Sequence, residues 1–296
     1  MKGGTPVICN ACPRQCGAVR AERVGFCGVG AAFRVARAAP HFWEEPCISG
    51  KNGSGTVFFS GCNLRCAFCQ NYEVSHGCFG KEIGDERLCE IFDELIAAGA
   101  HNLNLVNPTH YALRLARVLR DYKSPVPVVW NSSGYESVET LRQLEGLVDV
   151  WLPDFKFSRP DRALAYAGAA DYPETALAAI TEMKRQQPED VFQEGLLKKG
   201  VIIRHLILPK NTNSSVEILR LIAENFGTDT IVSLMAQYTP CGALDRFAEL
   251  RRPITAREYD KVLTELESLG FKNAFVQERE AADAGYIPPF DLTGVE

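Results

Sequence analysis

The sequence has no long apolar run, no block of like charge, no low-complexity stretch and no internal repeat. No apolar segment approaches the roughly 20 residues that a membrane-spanning helix needs. The first ten residues also lack a charged leader followed by an apolar core, so a cytoplasmic protein with no membrane partner is expected. The formal net charge of −5 is spread over interspersed acids and bases. No broad cationic face is available to displace counterions from a nucleic acid, which excludes nucleic acid as a main partner. Hydrophobic residues make up 46% of the chain and charged ones 23%, which favours ordinary globular folding over disorder. A chain of 296 residues is long enough to bury a substantial core.

Cysteine is abundant by contrast, with 11 residues. In a reducing compartment so many thiols point to metal ligation rather than disulfides. Cys9, Cys12, Cys16 and Cys27 form one set and Cys62, Cys66 and Cys69 another, whereas Cys47, Cys78, Cys89 and Cys241 stand alone.

Three regions are expected: a Cys-rich metal-binding lobe over residues 1–50, a core domain over 51–281 and an extended tail over 282–296. The lobe shows no sustained period, although AAFRVARAAPHF suggests a short strand or hairpin. From residue 56 onward β-branched runs alternate with amphipathic stretches, the pattern of repeated β-α units. Strands are expected at 56–59, 102–106, 127–130, 148–152, 201–208, 230–235 and 273–276. The fold class is therefore α/β, a full or partial parallel barrel. Asp85 is expected to cap the first long helix, and Ser214 with Glu217 and Thr255 with Glu258 read as capping boxes. The interval 158–200 has room for two helical pieces joined near Tyr172-Pro173.

The segment GCNLRCAFCQN places C-x3-C-x2-C directly after the first core strand. Three thiolates are one too few to close a four-iron cube, so one iron would be left for an exogenous ligand. A zinc site would need a fourth ligand, for which His76 is available. The upstream segment CNACPRQCGAVRAERVGFCG carries four cysteines, enough for a complete site of either zinc or iron-sulfur type.

The ends of the later strands are polar, and in parallel α/β architectures ligands bind there. They carry Asn107, Thr109 and His110, then Asn131 and Ser133, then Asp154 and Lys156 in DVWLPDFKF, then Arg204 and His205 in VIIRHLILPKN, and finally Gln237 and Tyr238. Helix caps and turns would account equally for Thr109, Asn131 and Ser133. Asp154 and Lys156 share a strand face by alternation, and opposite charges near a buried strand end need a partner or a ligand. His205 points the other way and reads as a packed histidine.

The cysteine triplet, with Phe68 as its aromatic, resembles that of the radical S-adenosylmethionine (SAM) superfamily. CPRQCG, EEPCISGKNGSGTVFFSGC and CAFCQN resemble radical SAM proteins similar to pyruvate formate-lyase activating enzymes. This resemblance covers nearly the whole chain. It implies a [4Fe-4S] cluster on Cys62, Cys66 and Cys69, SAM as the ligand of the open iron, and reductive cleavage to a 5′-deoxyadenosyl radical for hydrogen abstraction. It places Phe68 near the adenine, Asn131 and Ser133 near the ribose and carboxylate, Lys156 and Arg204 on SAM, and Gln237 near the adenosine. Many such enzymes carry Gly-Gly-Glu where this chain has Asn107-Pro108-Thr109, so Asn107, Thr109 or His110 would replace the usual contact. The resemblance further implies a low-potential donor such as flavodoxin or ferredoxin and a glycyl radical enzyme as target. The alternatives are a small-molecule or peptide substrate, and a non-catalytic iron-sulfur or zinc protein. The second metal centre, on Cys9, Cys12, Cys16 and Cys27, departs from the usual activase layout because it precedes the triplet.

Overall fold

The structure, a computed structural model, describes residues 8–278 and 288–296. Its strands are β1 (Phe33–His41), β2 (Ser54–Phe59), β3 (Lys81–Ile83), β4 (Leu103–Val106), β5 (Val128–Ser132), β6 (Val150–Pro153), β7 (Val191–Gln193), β8 (Leu196–Leu206), β9 (Ile231–Met235) and β10 (Ala274–Val276). They form one sheet in the order β10-β9-β8-β6-β5-β4-β2-β1-β3, with β7 paired to β8. From β2 to β10 the neighbours along this order run parallel. β1 lies antiparallel to β2 and β3 antiparallel to β1. The path has two free ends, so the barrel is partial.

Period-two alternation sorts the strand side chains into two environments. Trp130, Trp151, Ile203 and Val232 face the helices and join the main core. On that side helix Asp85–Ala97 buries Leu88, Ile91, Phe92 and Leu95. Each such side chain contributes roughly 1.5–3 kcal/mol when fully buried. On the inner face Val129, Val150, Leu152, Ile202 and Ile231 pack around Cys47 and Ile48 of the short helix Pro46–Ser49. That helix plugs the barrel floor, and Cys47 is accordingly a buried apolar group. Counting two residues onward from Val129, Leu152 and Ile202 gives Asn131, Asp154 and Arg204, so the inner face turns polar towards the C-terminal strand ends.

Several local expectations change. β8 starts at Leu196 rather than 201, because Glu194 and Gly195 make a two-residue turn with φ of 51° and 78° that folds β7 back onto it. Gly84 is the N-cap of helix Asp85–Ala97, leaving Asp85 in its first turn. Helix Thr212–Phe226 is capped by Asn211. Ser214 thus lies inside it and shares a 2.7 Å hydrogen bond with Ser158, so the first capping box does not form. The Thr255–Glu258 box does form. The interval after 158 holds helices Pro160–Ala167 and Tyr172–Gln186, separated at Gly168, whose φ is 60°.

β1 belongs to the main sheet although it arises from the Cys-rich segment. Along its outer edge the last residues of the chain add backbone bonds, Leu292 N–H to the Ala36 carbonyl at 3.1 Å and Ala38 N–H to that of Thr293 at 2.8 Å. The expected boundary at 281/282 lies outside the described residues. No helix among the described residues is long and apolar enough to cross a membrane.

Candidate functional site

β2 delivers the cysteine triplet to the C-terminal side of the sheet. Gly61 allows the turn: its φ is 84°, and a Cβ there would sit 2.6 Å from the Cys27 carbonyl oxygen. The loop is fixed by Asn63, whose Nδ2 donates to the Tyr135 carbonyl at 2.7 Å. Backbone N–H groups of Leu64 and Arg65 point at Cys62 Sγ, each at 3.3 Å. Cys62, Cys66 and Cys69 all line a cavity of about 250 Å³, together with Phe68. Burial pushes the thiols of Cys66 and Cys69 up. Thiolates at such a place need positive charge from a metal. His76 does not supply a fourth ligand, because its Nε2 donates to the Arg65 carbonyl at 3.1 Å and its ring stacks on Tyr72 at 4.1 Å.

The opposite wall is a buried ionic network. Arg204 donates from Nε to Asp154 Oδ1 at 2.9 Å and from Nη1 to Glu44 Oε2 at 3.1 Å, and Nη2 meets Asn131 Oδ1. Lys156 Nζ pairs with the other oxygen of Asp154. Glu44 Oε1 accepts from Asn131 at 3.0 Å and from Asn104 at 3.3 Å. Burial alone would lift the Asp154 carboxyl, but Arg204 and Lys156 outweigh it and hold the group below its ordinary range. Burial raises Glu44 against the pull of Arg204. A guanidinium has five N–H donors, and this network engages one on each nitrogen, leaving donors for a ligand.

Asn107, Asn131, Ser133, Asp154, Lys156, Arg204 and Gln237 therefore share one cavity with the triplet. Thr109 and His110 do not reach it. Thr109 donates to Glu136 Oε1 at 2.7 Å, and His110 Nε2 donates to the Ser60 carbonyl at 2.8 Å. Burial pushes Glu136 up to about 7 and His110 down to about 3. His205 lies on the outer face, with Nδ1 2.7 Å from the Phe155 carbonyl. Tyr238 is buried, its hydroxyl on the Leu250 carbonyl. Cys89 is half-buried against the core. Cys241 contacts the Phe68 carbonyl at 3.5 Å, and Cys78 approaches the Cys27 carbonyl at 3.8 Å. Glu44, which anchors this network, is absent from the expected set, as are Gln70, Asn71 and Ser132 of the cavity lining. The only sequence signal of Glu44 is the acidic pair before Pro46 in an aperiodic segment.

The cavity wall fits a cluster with a polar ligand. Asn107 Oδ1 and Ser133 Oγ are buried there without a hydrogen-bond partner. Leaving such atoms unmet costs about 1–3 kcal/mol each.

The upstream cysteines gather in the lobe. Cys9 N–H bonds the Ala18 carbonyl at 2.9 Å beside an Ile8–Val19 bridge, and Gln15 N–H bonds the Cys12 carbonyl at 3.1 Å. Among the described residues no three His, Cys, Asp or Glu side chains converge on the spacing of a single metal ion.

Three comparisons complete the picture. The family model described as a 4Fe-4S single cluster domain matches residues 48–170, which include the whole triplet. The uncharacterized protein MJ0674 of Methanocaldococcus jannaschii is 30% identical over 266 residues, covering 86% of this chain and 73% of that protein. Among solved structures, Streptococcus suis SuiB is similar with a TM-score of 0.50 and 11% identity over 76% of this chain and 48% of its own. SuiB bound to S-adenosylmethionine gives 0.50 and 11%, over 73% and 48%. SuiB bound to precursor peptide SuiA gives 0.50 and 12%, over 73% and 46%. At these identities the likeness is one of fold, and the chain spans about half the length of SuiB.

Proposed function

The chain belongs to the family that includes the M. jannaschii protein MJ0674, and we propose that it is a radical SAM enzyme. The 4Fe-4S domain match and the shared fold support that superfamily. The observation that carries the reading is a three-thiol set opening onto a cavity whose far wall holds a buried ionic network and two unpartnered polar atoms. Cys62, Cys66 and Cys69 would hold a [4Fe-4S] cluster. When bound, cluster and SAM supply one-electron cleavage of the sulfonium bond to a 5′-deoxyadenosyl radical.

The residues of the chain orient and enclose. Arg204, fixed on three sides, would offer its remaining N–H donors to the SAM carboxylate. The Asn107 Oδ1 would accept a hydrogen bond from the bound SAM, and the Ser133 hydroxyl would pair with it as well. Phe58, Phe59, Phe68, Val106 and Leu206 line the same space and exclude water. The target would be a carbon of a partner chain, a glycine in a glycyl radical enzyme, with reducing equivalents from a flavodoxin- or ferredoxin-type donor in the cytoplasm. A peptide substrate is the second reading, favoured by the fold shared with a protein that was crystallised with its precursor peptide.

Anaerobic reconstitution with counts of iron, sulfide and zinc, and 5′-deoxyadenosine release under dithionite, tests the chemistry. The parent should release 5′-deoxyadenosine and Cys62→Ala should not. Iron binding without SAM cleavage in the parent would favour a non-catalytic protein instead. Transfer of deuterium from labelled candidates into 5′-deoxyadenosine separates a glycyl target from other substrates.

A further inference from the structure

The fold brings the two cysteine sets into direct contact. The Cys27 carbonyl accepts a hydrogen bond from the N–H of Cys62 at 3.2 Å. Around this junction the lobe is clamped to the triplet loop. Arg14 donates to the carbonyls of Asn63 at 2.8 Å, Leu64 at 3.3 Å and Ala167 at 2.7 Å, and also meets that of Gly168. Arg65 reaches back to the Phe26 carbonyl at 3.2 Å. A staple that only stabilised the lobe would not need one of its ligands bonded to a ligand of the catalytic set.

Within the lobe Arg20 brings positive charge beside the Cys27 thiol. Arg20 Nη2 lies 3.1 Å from Cys27 Sγ, while the buried Arg20 Nε has no partner. Gly25 keeps the space between two sulfurs open, since a Cβ there would sit 3.3 Å from Cys16 Sγ and 3.4 Å from Cys27 Sγ. Cys9 and Cys16 are half-buried, and Ile8, Val24 and Phe26 are exposed around them. The lobe therefore presents an accessible side outward and its Cys27 side inward.

We propose that Cys9, Cys12, Cys16 and Cys27 bind a second [4Fe-4S] cluster that passes electrons to the triplet cluster through the Cys27–Cys62 hydrogen bond. Four protein ligands close this cluster, so it has no vacant iron and its role is transfer. A reduced low-potential carrier of the ferredoxin or flavodoxin class gives one electron to the lobe cluster. That electron then moves to the triplet cluster, leaving the lobe cluster oxidised again. The inference rests on the radical SAM reading for the identity of its acceptor.

The test is electron paramagnetic resonance of the reduced full chain with iron, sulfide and zinc counts, followed by SAM cleavage driven by either a protein carrier or dithionite. The parent should hold two clusters whose signals broaden through mutual coupling. Cys16→Ser should lose the iron and sulfide of one cluster together with the coupling. It should also lose carrier-driven cleavage and keep dithionite-driven cleavage. Cys62→Ala leaves the lobe intact and should keep an uncoupled lobe signal, which preserves the test if Cys16→Ser fails to fold. Zinc in the lobe, uncoupled signals in the parent, or unchanged carrier-driven cleavage in Cys16→Ser would overturn the proposal. Continued SAM cleavage by Cys62→Ala would instead overturn the catalytic reading and leave the lobe cluster standing.

Discussion

The lobe and the barrel mouth carry the same side chain, the cysteine thiol, on opposite kinds of scaffold. In the lobe, residues 8–32 contain no strand beyond an isolated bridge and carry four cysteines. At the mouth, three cysteines sit on a loop held between a parallel sheet and a buried ionic wall. A region too small to bury a core gains from a closed site, because metal binding there is folding free energy. A rigid sheet can hold an incomplete site and leave its remaining valence for chemistry. On the proposed reading, ligand number follows from what the scaffold must do.

This contrast can be broken first at the mouth. Cys66→Ala should abolish 5′-deoxyadenosine release while the lobe keeps its metal, and loss of both centres together would show that the regions are one site. Arg204→Leu comes next in size. It leaves Glu44 buried without its cation and Asp154 with Lys156 alone, and should destabilise the fold by about 3–5 kcal/mol in chemical denaturation. A change under about 1 kcal/mol, the worth of an exposed pair, would mean that the wall is solvated.

The core should also show a pH dependence near neutrality. The Glu136 carboxyl is raised to about 7 by burial, so the folded state holds its proton more tightly than the unfolded chain. Its contribution is fully present below the ordinary value of 4.5 and is lost as pH rises through about 7. The loss is on the order of 3 kcal/mol. Glu136→Gln should therefore raise Tm at pH 8 relative to the parent and flatten its fall between pH 5 and pH 8, whereas an unchanged slope would assign that titration elsewhere. The smallest effect is expected at the seam. Arg14→Ala removes the carbonyl contacts that dock the lobe and should cost about 1–3 kcal/mol. Hydrogen exchange should rise in the lobe and the triplet loop before the sheet.

Much of this contrast is legible in the sequence because it depends on local pattern. The β-branched runs place every parallel strand from β2 to β10, and the C-x3-C-x2-C spacing after β2 identifies the mouth. Asn131, Asp154 and Arg204 follow from counting in twos along strands whose inner face is known. The β7–β8 hairpin was available in Glu194-Gly195 but was hidden by a neighbouring helical pattern. Asn107 could not be separated from Thr109, because the chain turns just after β4 and φ of 48° at Asn107 breaks the alternation. Glu44 lies in the quoted EEPCISG segment, but its role was not legible. Its role comes from meeting Arg204, 160 residues away, and no local period encodes that contact.

The central claim is the vacant iron of the triplet cluster, and the reduced protein tests it most directly. Adding SAM should change the paramagnetic resonance signal of the cluster bound by Cys62, Cys66 and Cys69, and warming should convert SAM to 5′-deoxyadenosine and methionine. A signal indifferent to saturating SAM would contradict the account.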